Sequence, residues 1–114
     1  MKKMMTIGLA AALGLSAISP AMAAGWSKKQ GIAKLRLTAN GDTLVTGNGA
    51  TWNNPDDCKN AKAALLPGNA QYFPEMYATL LVAQTRGTPV KLYFSGCSKL
   101  GSATYPKIRI VEKY

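Results

Sequence analysis

The chain has 114 residues, of which 14 are basic, five are acidic and none is histidine, so its formal net charge is +9. A chain of this length is expected to form one small domain. Without histidine it lacks the most common general base and the most common metal-binding side chain. We therefore predict a protein with no catalytic activity, no cofactor and no metal site.

Residues 1–23 have the three parts of a secretory signal peptide. The segment starts with two lysines, continues with mostly apolar residues 6–18, and ends with small side chains at Ala21 and Ala23. Its apolar part is too short to span roughly 30 Å of hydrocarbon. We expect cleavage after Ala23, a single domain over residues 24–114, and a periplasmic or secreted protein that is not an integral membrane protein after cleavage.

The positive charge of the expected mature domain predicts an anionic partner. Cleavage removes two lysines and lowers the net charge from +9 to +7. Such a charge attracts acidic glycans, lipopolysaccharide, nucleic acid or anionic lipid. The basic residues are dispersed along the chain, so an ordinary basic surface with no such partner remains an alternative interpretation.

The two cysteines, Cys58 and Cys97, predict a structural disulfide. An even pair in an exported domain is most simply oxidised, and the spacing does not match a redox or metal motif. Closing a loop of about 40 residues is worth on the order of 4 kcal/mol in the chain-entropy model. For a domain with a small core, this is a large share of the stability.

The first half of the domain contains signals for two strands joined by an Asn-Gly-Asp turn. Residues 32–38 alternate, which predicts a half-buried strand with Ala33, Leu35 and Leu37 facing the core. Residues 43–46 are short and β-branched, and they predict the returning strand.

Residues 59–66 are ambiguous, because their alanines favour a helix whereas their length and flanking prolines favour a strand; we predict a third strand. A helix is clearer. Pro74 suits its first turn, and Gly87 suits its C-terminal end. Its apolar residues are predicted to share one broad face, namely Phe73, Met76, Tyr77, Leu80, Leu81 and Ala83.

Two further strands follow the predicted helix. Residues 90–95 alternate, and residues 107–113 alternate with Ile108 and Ile110 facing inward. Residues 96–106 are predicted to form the loop between these strands. The inward side chains of the first of them are predicted to be Val90, Leu92 and Phe94.

The predicted fold is mainly β with one helix. Three strands, one helix and two strands form the order of a five-stranded OB-like barrel (β-β-β-α-β-β), in which the helix closes one end. The alternative is an open antiparallel sheet with one helix packed across it.

The remaining chemistry favours a binding module. Exposed aromatic rings can stack on sugars or bases, and amides and lysines can bind hydroxyls or phosphates. For each aromatic residue, the alternative to a role in binding is that its ring is partly buried under a loop. The candidate ligand-binding residues are Trp52, Asn53, Asn54, Tyr93, Lys99, Tyr105 and Arg109, and Lys34, Arg36 and Lys91 also lie on outward strand faces.

Four stretches carry a resemblance to a known group: residues 54–58, 77–92, 96–97 and 105–108. They resemble small exported bacterial proteins of unknown function with the pattern NPD-x-C, Y-x-x-L-L-x-A-x-x-x-G-x-x-V, C and Y-P-x-I. That group is similar in turn to the OB-fold B subunits of bacterial toxins, especially subtilase cytotoxin. The resemblance implies an OB-fold, a homo-oligomeric ring and binding of host glycans.

We therefore predict a non-catalytic exported binding module, glycan-binding and similar to a toxin B subunit. One alternative is a basic periplasmic protein that binds an anionic polymer or lipid. Another is an accessory or inhibitor protein that docks on a second exported protein.

Overall fold

A computed structural model describes residues 24–49 and 51–114, and the predicted signal peptide lies outside the described residues. This part of the chain is mainly β with one helix. No helix within it has the length and apolar character needed to cross a bilayer. The strands are β1 (Gly25–Trp26), β2 (Ile32–Leu37), β3 (Thr43–Gly47), β4 (Ala64–Leu66), β5 (Val90–Leu100) and β6 (Ala103–Lys113), and helix α1 (Phe73–Arg86) lies between β4 and β5.

The strands form one mixed sheet in the order β1-β5-β6-β4-β3-β2. All neighbours are antiparallel except β4 and β6, which are parallel. The predicted closed five-stranded barrel is not confirmed, because β1 and β2 form the two ends of this order. The predicted alternative, an open sheet with one packed helix, fits, with the correction that one strand pair is parallel.

Strand β2 forms where it was predicted, but the side chain that faces inward at its start is different. The register between β2 and β3 shifts between Ile32 and Lys34. Such an irregularity changes which side chains face the core. Ile32 is buried and Ala33, which was predicted to face inward, is exposed, whereas Leu35 packs on the core as predicted. Leu37 shares the face of Leu35, but it is exposed at the end of this edge strand.

The predicted third strand is much shorter than expected, because only Ala64–Leu66 pairs in the sheet. Before it, the backbone is held by other partners. The amide of Lys59 donates to the Thr104 hydroxyl, the amide of Asn60 donates to the Thr104 carbonyl, and the carbonyl of Ala61 accepts from Trp52.

Helix α1 is confirmed and ends at Arg86, followed by the capping residue Gly87, whose φ of 70° is readily adopted by glycine. Its amide donates to the carbonyls of Ala83 and Gln84. Leu80 and Ala83 are buried, but Leu81 is 43% exposed, so its predicted inward position is wrong. The buried face is narrower than the apolar pattern suggests.

The predicted loop over residues 96–106 is wrong, because most of it forms the extended end of a β-hairpin. Strand β5 continues to Leu100, and β6 starts at Ala103. Gly101 has a φ of 65° in the tight turn, and Gly96 has a φ of 81° within a register shift of β5. Glycine permits both the turn and the bulge, so its presence here does not indicate a loop.

A second register shift changes the outward face of β6. Tyr93 pairs with Ile110, but the next residue, Phe94, pairs with Ile108, which leaves Arg109 as an extra residue. As a result, Ile110 is 46% exposed instead of facing inward, whereas Val111 packs against the core.

The core lies on both faces of the β3–β4 pair. A smaller cluster, on the opposite face from the main one, contains Leu44, Ala63 and Leu65, with Leu100 and Tyr105 packed against it from the hairpin. The main cluster lies beneath α1 and contains Ile32, Val45, Trp52, Ala64, Leu66, Leu80, Ala83, Val90, Leu92, Phe94 and Ile108.

Gly68→Ala is expected to lower the free energy of unfolding by about 1–3 kcal/mol, because an added side chain would overpack the turn. A Cβ at Gly68 would lie 2.5 Å from the Gly41 carbonyl oxygen, so backbone would have to move. The control is Gly25→Ala, whose Cβ would meet Pro55 at an ordinary 3.8 Å. Urea unfolding measures the free energy of unfolding of both variants. Equal losses would contradict the close approach of Gly68 to the Gly41 backbone.

Candidate functional site

The disulfide between Cys58 and Cys97 is confirmed, with a Cα–Cα distance of 5.7 Å. It fastens the loop before Cys58 to the bulged part of β5. The Asp56 carboxylate accepts from the Gly96 amide at 2.7 Å, and both amide atoms of Asn54 bond to the backbone of Cys58. Asn54, a predicted ligand-binding residue, therefore holds this loop together.

Trp52 lies in the core and not on the surface. It is only 3% exposed, and its Nε1 donates to the Val45 carbonyl at 2.8 Å. Its ring lies edge-on to Phe94 with centroids 6.2 Å apart. No face of this indole is presented to a ligand.

Asn53, Tyr93 and Lys99 do not form one site with the other candidates. Asn53 is exposed, and its Oδ1 accepts from the Lys28 amide at 2.9 Å. Lys99 is exposed near the end of β5. Tyr93 lies on the outer face of β5, where it packs edge-on against Trp26.

A groove of about 370 Å³ brings three basic side chains and Tyr105 together. Strand pairing explains part of this, because Lys34 lies opposite Thr46 and Arg36 lies opposite Leu44, and directly paired residues share a face. We call this the basic groove, and it is lined by Lys34, Arg36, Leu44, Thr46, Asn60, Lys62, Ala63 and Tyr105.

The basic groove has no carboxylate in its lining. Lys34, Arg36 and Lys62 are exposed, and none of them is seen in an ion pair with another described residue. The carboxylates of Asp42 and Asp56 instead accept from the backbone amides of Gly68 and Gly96. The groove therefore has a positive electrostatic potential that a bound anion would neutralise.

Sequence reasoning found only part of this groove. The period-2 pattern of β2 was enough to place Lys34 and Arg36 on an outward face. Lys62 and Asn60 were missed, because no local pattern shows that the irregular segment before β4 folds beside them. Tyr105 was predicted as a candidate, but in a loop, and it lies on β6.

A second groove, of about 290 Å³, lies between β6 and the segment that precedes α1. It contains Arg109, a predicted candidate, which was not expected to lie beside Asn69 and Gln71. We call it the amide groove, and it is lined by Pro67, Asn69, Ala70, Gln71, Tyr72, Met76, Lys107, Ile108 and Arg109.

Comparison with known proteins identifies no relative: no protein-family model, no curated protein and no solved structure matches this chain. Within residues 24–49 and 51–114, no three side chains of the types that hold metals are clustered. The geometry of the two grooves is therefore the basis for assigning a function.

Proposed function

We propose that this chain is a non-catalytic exported binding module that holds an acidic glycan or a similar anionic polymer in the basic groove. The observation that carries the proposal is the meeting of Lys34, Arg36 and Lys62 in one groove with no carboxylate in its lining. The disulfide is compatible with export, because such bonds persist in oxidising compartments.

The polar neighbours of these cations favour a glycan over a simple counterion. Asn60, Thr46 and Tyr105 can exchange hydrogen bonds with hydroxyl groups, while the cations bind carboxylate, sulfate or phosphate groups. The groove volume is within the range of about 300–1,000 Å³ found for ligand sites. An acidic glycan carries both kinds of group on one chain.

We expect a heparin oligosaccharide to bind the chain of residues 24–114, and the double substitution Lys34→Gln with Arg36→Gln to weaken this binding about 10- to 100-fold. Each lost hydrogen bond to a charged group is worth about 1.5–3 kcal/mol, but at an exposed site salt and water screen part of this energy. The slope of log affinity against log salt concentration should also decrease by roughly 1 to 2. Isothermal titration calorimetry at several salt concentrations measures both.

The matched control is Arg86→Gln with Lys113→Gln, which removes the same charge from two exposed residues outside the groove. This pair should change the affinity by less than about twofold, because distant exposed charges are screened. Equal losses from the two pairs would mean that only net charge matters, and would contradict a site in the groove.

The amide groove supports a second candidate, binding of a neutral glycan by a module similar to a toxin B subunit. Asn69 and Gln71 offer amides, Tyr72 is 56% exposed, and Arg109 can donate to ring hydroxyls. Binding here should resist salt and be lost with Gln71→Ala, whereas binding in the basic groove should fall with salt.

The second candidate function implies an OB-like barrel, because toxin B subunits have that fold. Residues 25–37 supply both β1 and β2, so one segment contacts β5 and β3. Between these strands, Ser27 and Gln30 bond to the backbone of Leu92 and Val90 at 2.7–3.0 Å. These bonds keep the N-terminal segment paired along β5 almost to the start of β2, and this continuity supports the proposal of an OB-like barrel.

A further inference from the structure

Three residues form a row across the outer face of β1, β5 and β6. Trp26 is paired with Tyr93, and Tyr93 is paired with Ile110, so their side chains share one face. Trp26 is 43% exposed and Ile110 is 46% exposed, and the Trp26 and Tyr93 rings meet edge-on with centroids 5.3 Å apart. We call these three residues the aromatic row.

Two lysines lie against rings on this side of the sheet. The Nζ of Lys91 is 5.9 Å from the centre of the Trp26 ring, and the Nζ of Lys29 is 4.7 Å from the centre of the Tyr114 ring. Glu112, which pairs with Lys91, is the one carboxylate among the paired residues of β5 and β6. It accepts a hydrogen bond from the Tyr114 hydroxyl at 3.0 Å.

Tyr114 adds no negative charge through its side chain at neutral pH. Its pKa is raised above the usual value of 10.0, first by desolvation and then by its hydrogen bond to Glu112 and the charge of that carboxylate. The phenol therefore stays neutral, and this surface carries the two lysines beside the rings and the single carboxylate of Glu112.

We propose that the aromatic row docks the exported protein on the surface of an anionic lipid bilayer. Tryptophan and tyrosine suit the boundary between headgroups and hydrocarbon, because each combines an apolar ring with a polar group. Ile110 would enter the apolar side of that boundary, while Lys29 and Lys91 would contact lipid phosphates. Basic residues near an anionic surface strengthen such binding, and the expected net charge of the processed chain is positive.

Two other partners fit the row less well. A second copy paired by a two-fold axis would bring a surface with two lysines and one carboxylate against an identical surface, which is electrostatically less favourable than an anionic partner. Stacking of sugars or bases does not explain an exposed Ile110, because an aliphatic side chain has no aromatic face. The row also lies outside both the basic groove and the amide groove, so its role is separate from the proposed glycan site.

The test uses the chain that begins at Ala24, since the strands, the helix, the core and the disulfide all lie in residues 24–114. The probes are vesicles of phosphatidylglycerol and phosphatidylcholine with brominated acyl chains, which quench only tryptophans that approach the hydrocarbon. Trp26 is partly exposed and Trp52 is buried, so the two residues report separately. We expect a blue shift and partial quenching, and Trp26→Phe should abolish both while leaving the protein bound.

Affinity provides the second measurement. Trp26→Ala with Ile110→Ser should reduce partitioning into these vesicles about tenfold, because most of the apolar area of the row is removed. The control Leu81→Ala removes an exposed apolar side chain outside the row and outside both grooves, and it should leave partitioning unchanged. Vesicles of phosphatidylcholine alone should bind weakly, because the lysines then meet no net negative charge.

Several results would overturn the proposal. Vesicle binding without quenching of Trp26 would mean that another face contacts the lipid. Equal partitioning of the double variant and Leu81→Ala would mean that the row is not part of the lipid interface. A dimer in sedimentation experiments that Ile110→Ser dissociates would assign the row to self-association. Lys34→Gln with Arg36→Gln should leave quenching intact, so failure of the glycan site and failure of the lipid surface are distinguishable.

Discussion

Trp52→Ala is expected to lower the free energy of unfolding by about 3–5 kcal/mol. The substitution removes a 3% exposed indole from the main core and leaves a cavity beside Phe94. It also removes the donor to the Val45 carbonyl, whose bond is buried. Because small domains are stable by only about 5–15 kcal/mol, the variant should be close to unfolding. Urea unfolding, followed by far-UV circular dichroism, measures the change.

Trp26→Ala is the matched control, since it removes the other tryptophan from a 43% exposed position. Surface substitutions of this kind usually change stability by about 0.5 kcal/mol or less, and the lost edge contact with Tyr93 adds about 0.5–1.5 kcal/mol at most. Similar losses for the two variants would contradict the different burial of the two indoles. This result also matters for function, because weaker glycan binding by Trp52→Ala would reflect unfolding and not a lost contact.

Replacing both Cys58 and Cys97 by alanine is expected to lower the free energy of unfolding by about 2–5 kcal/mol. The bond joins residues separated by 39 positions, so it restricts a large loop in the unfolded chain. In the folded chain it fastens the Asn54–Cys58 turn to the bulged part of β5, where Asp56 also accepts from Gly96. The melting temperature should fall by roughly 10–30 °C for a domain of this size.

Reduction of the unsubstituted chain provides the control for the cysteine replacements. Its urea midpoint with reductant should approach that of the alanine variant, whereas the variant itself should not respond to reductant. An unchanged midpoint in both cases would show that the bond contributes nothing to stability. A stable reduced form that still binds heparin would further show that the basic groove does not depend on this bond.

The helix and the disulfide were predictable from local features. Pro74 and Gly87 mark the two ends of α1, because their backbone preferences act within a few residues. Cys58 and Cys97 are the only two cysteines, so only one disulfide pairing is possible, and the expected oxidising compartment favours its formation. The inward positions of Val90, Leu92 and Phe94 followed from period-2 alternation, which continues along β5 through Phe94 because the extra residue of the first register shift lies in β6.

The faces of β2 and β6 were decided only by tertiary structure. Ile110 has the apolar character and the spacing of a core residue, yet it is exposed, because a register shift near Arg109 changes the outward face of β6. In β2, a shift before Lys34 puts Ile32 in the core and leaves Ala33 exposed. A shift of this kind depends on the partner strand, so alternation along one strand does not reveal it.

The sequence by itself therefore determined the mainly β class, the single helix with its ends, and the cysteine pair, because these depend on short-range backbone preferences and on composition. Tertiary structure alone decided that Trp52 is buried and Trp26 exposed, and that Lys62 joins Lys34 and Arg36 in one groove. The physical reason is that burial and charge clustering depend on contacts between segments far apart in the chain, which leave no periodic signal within either segment.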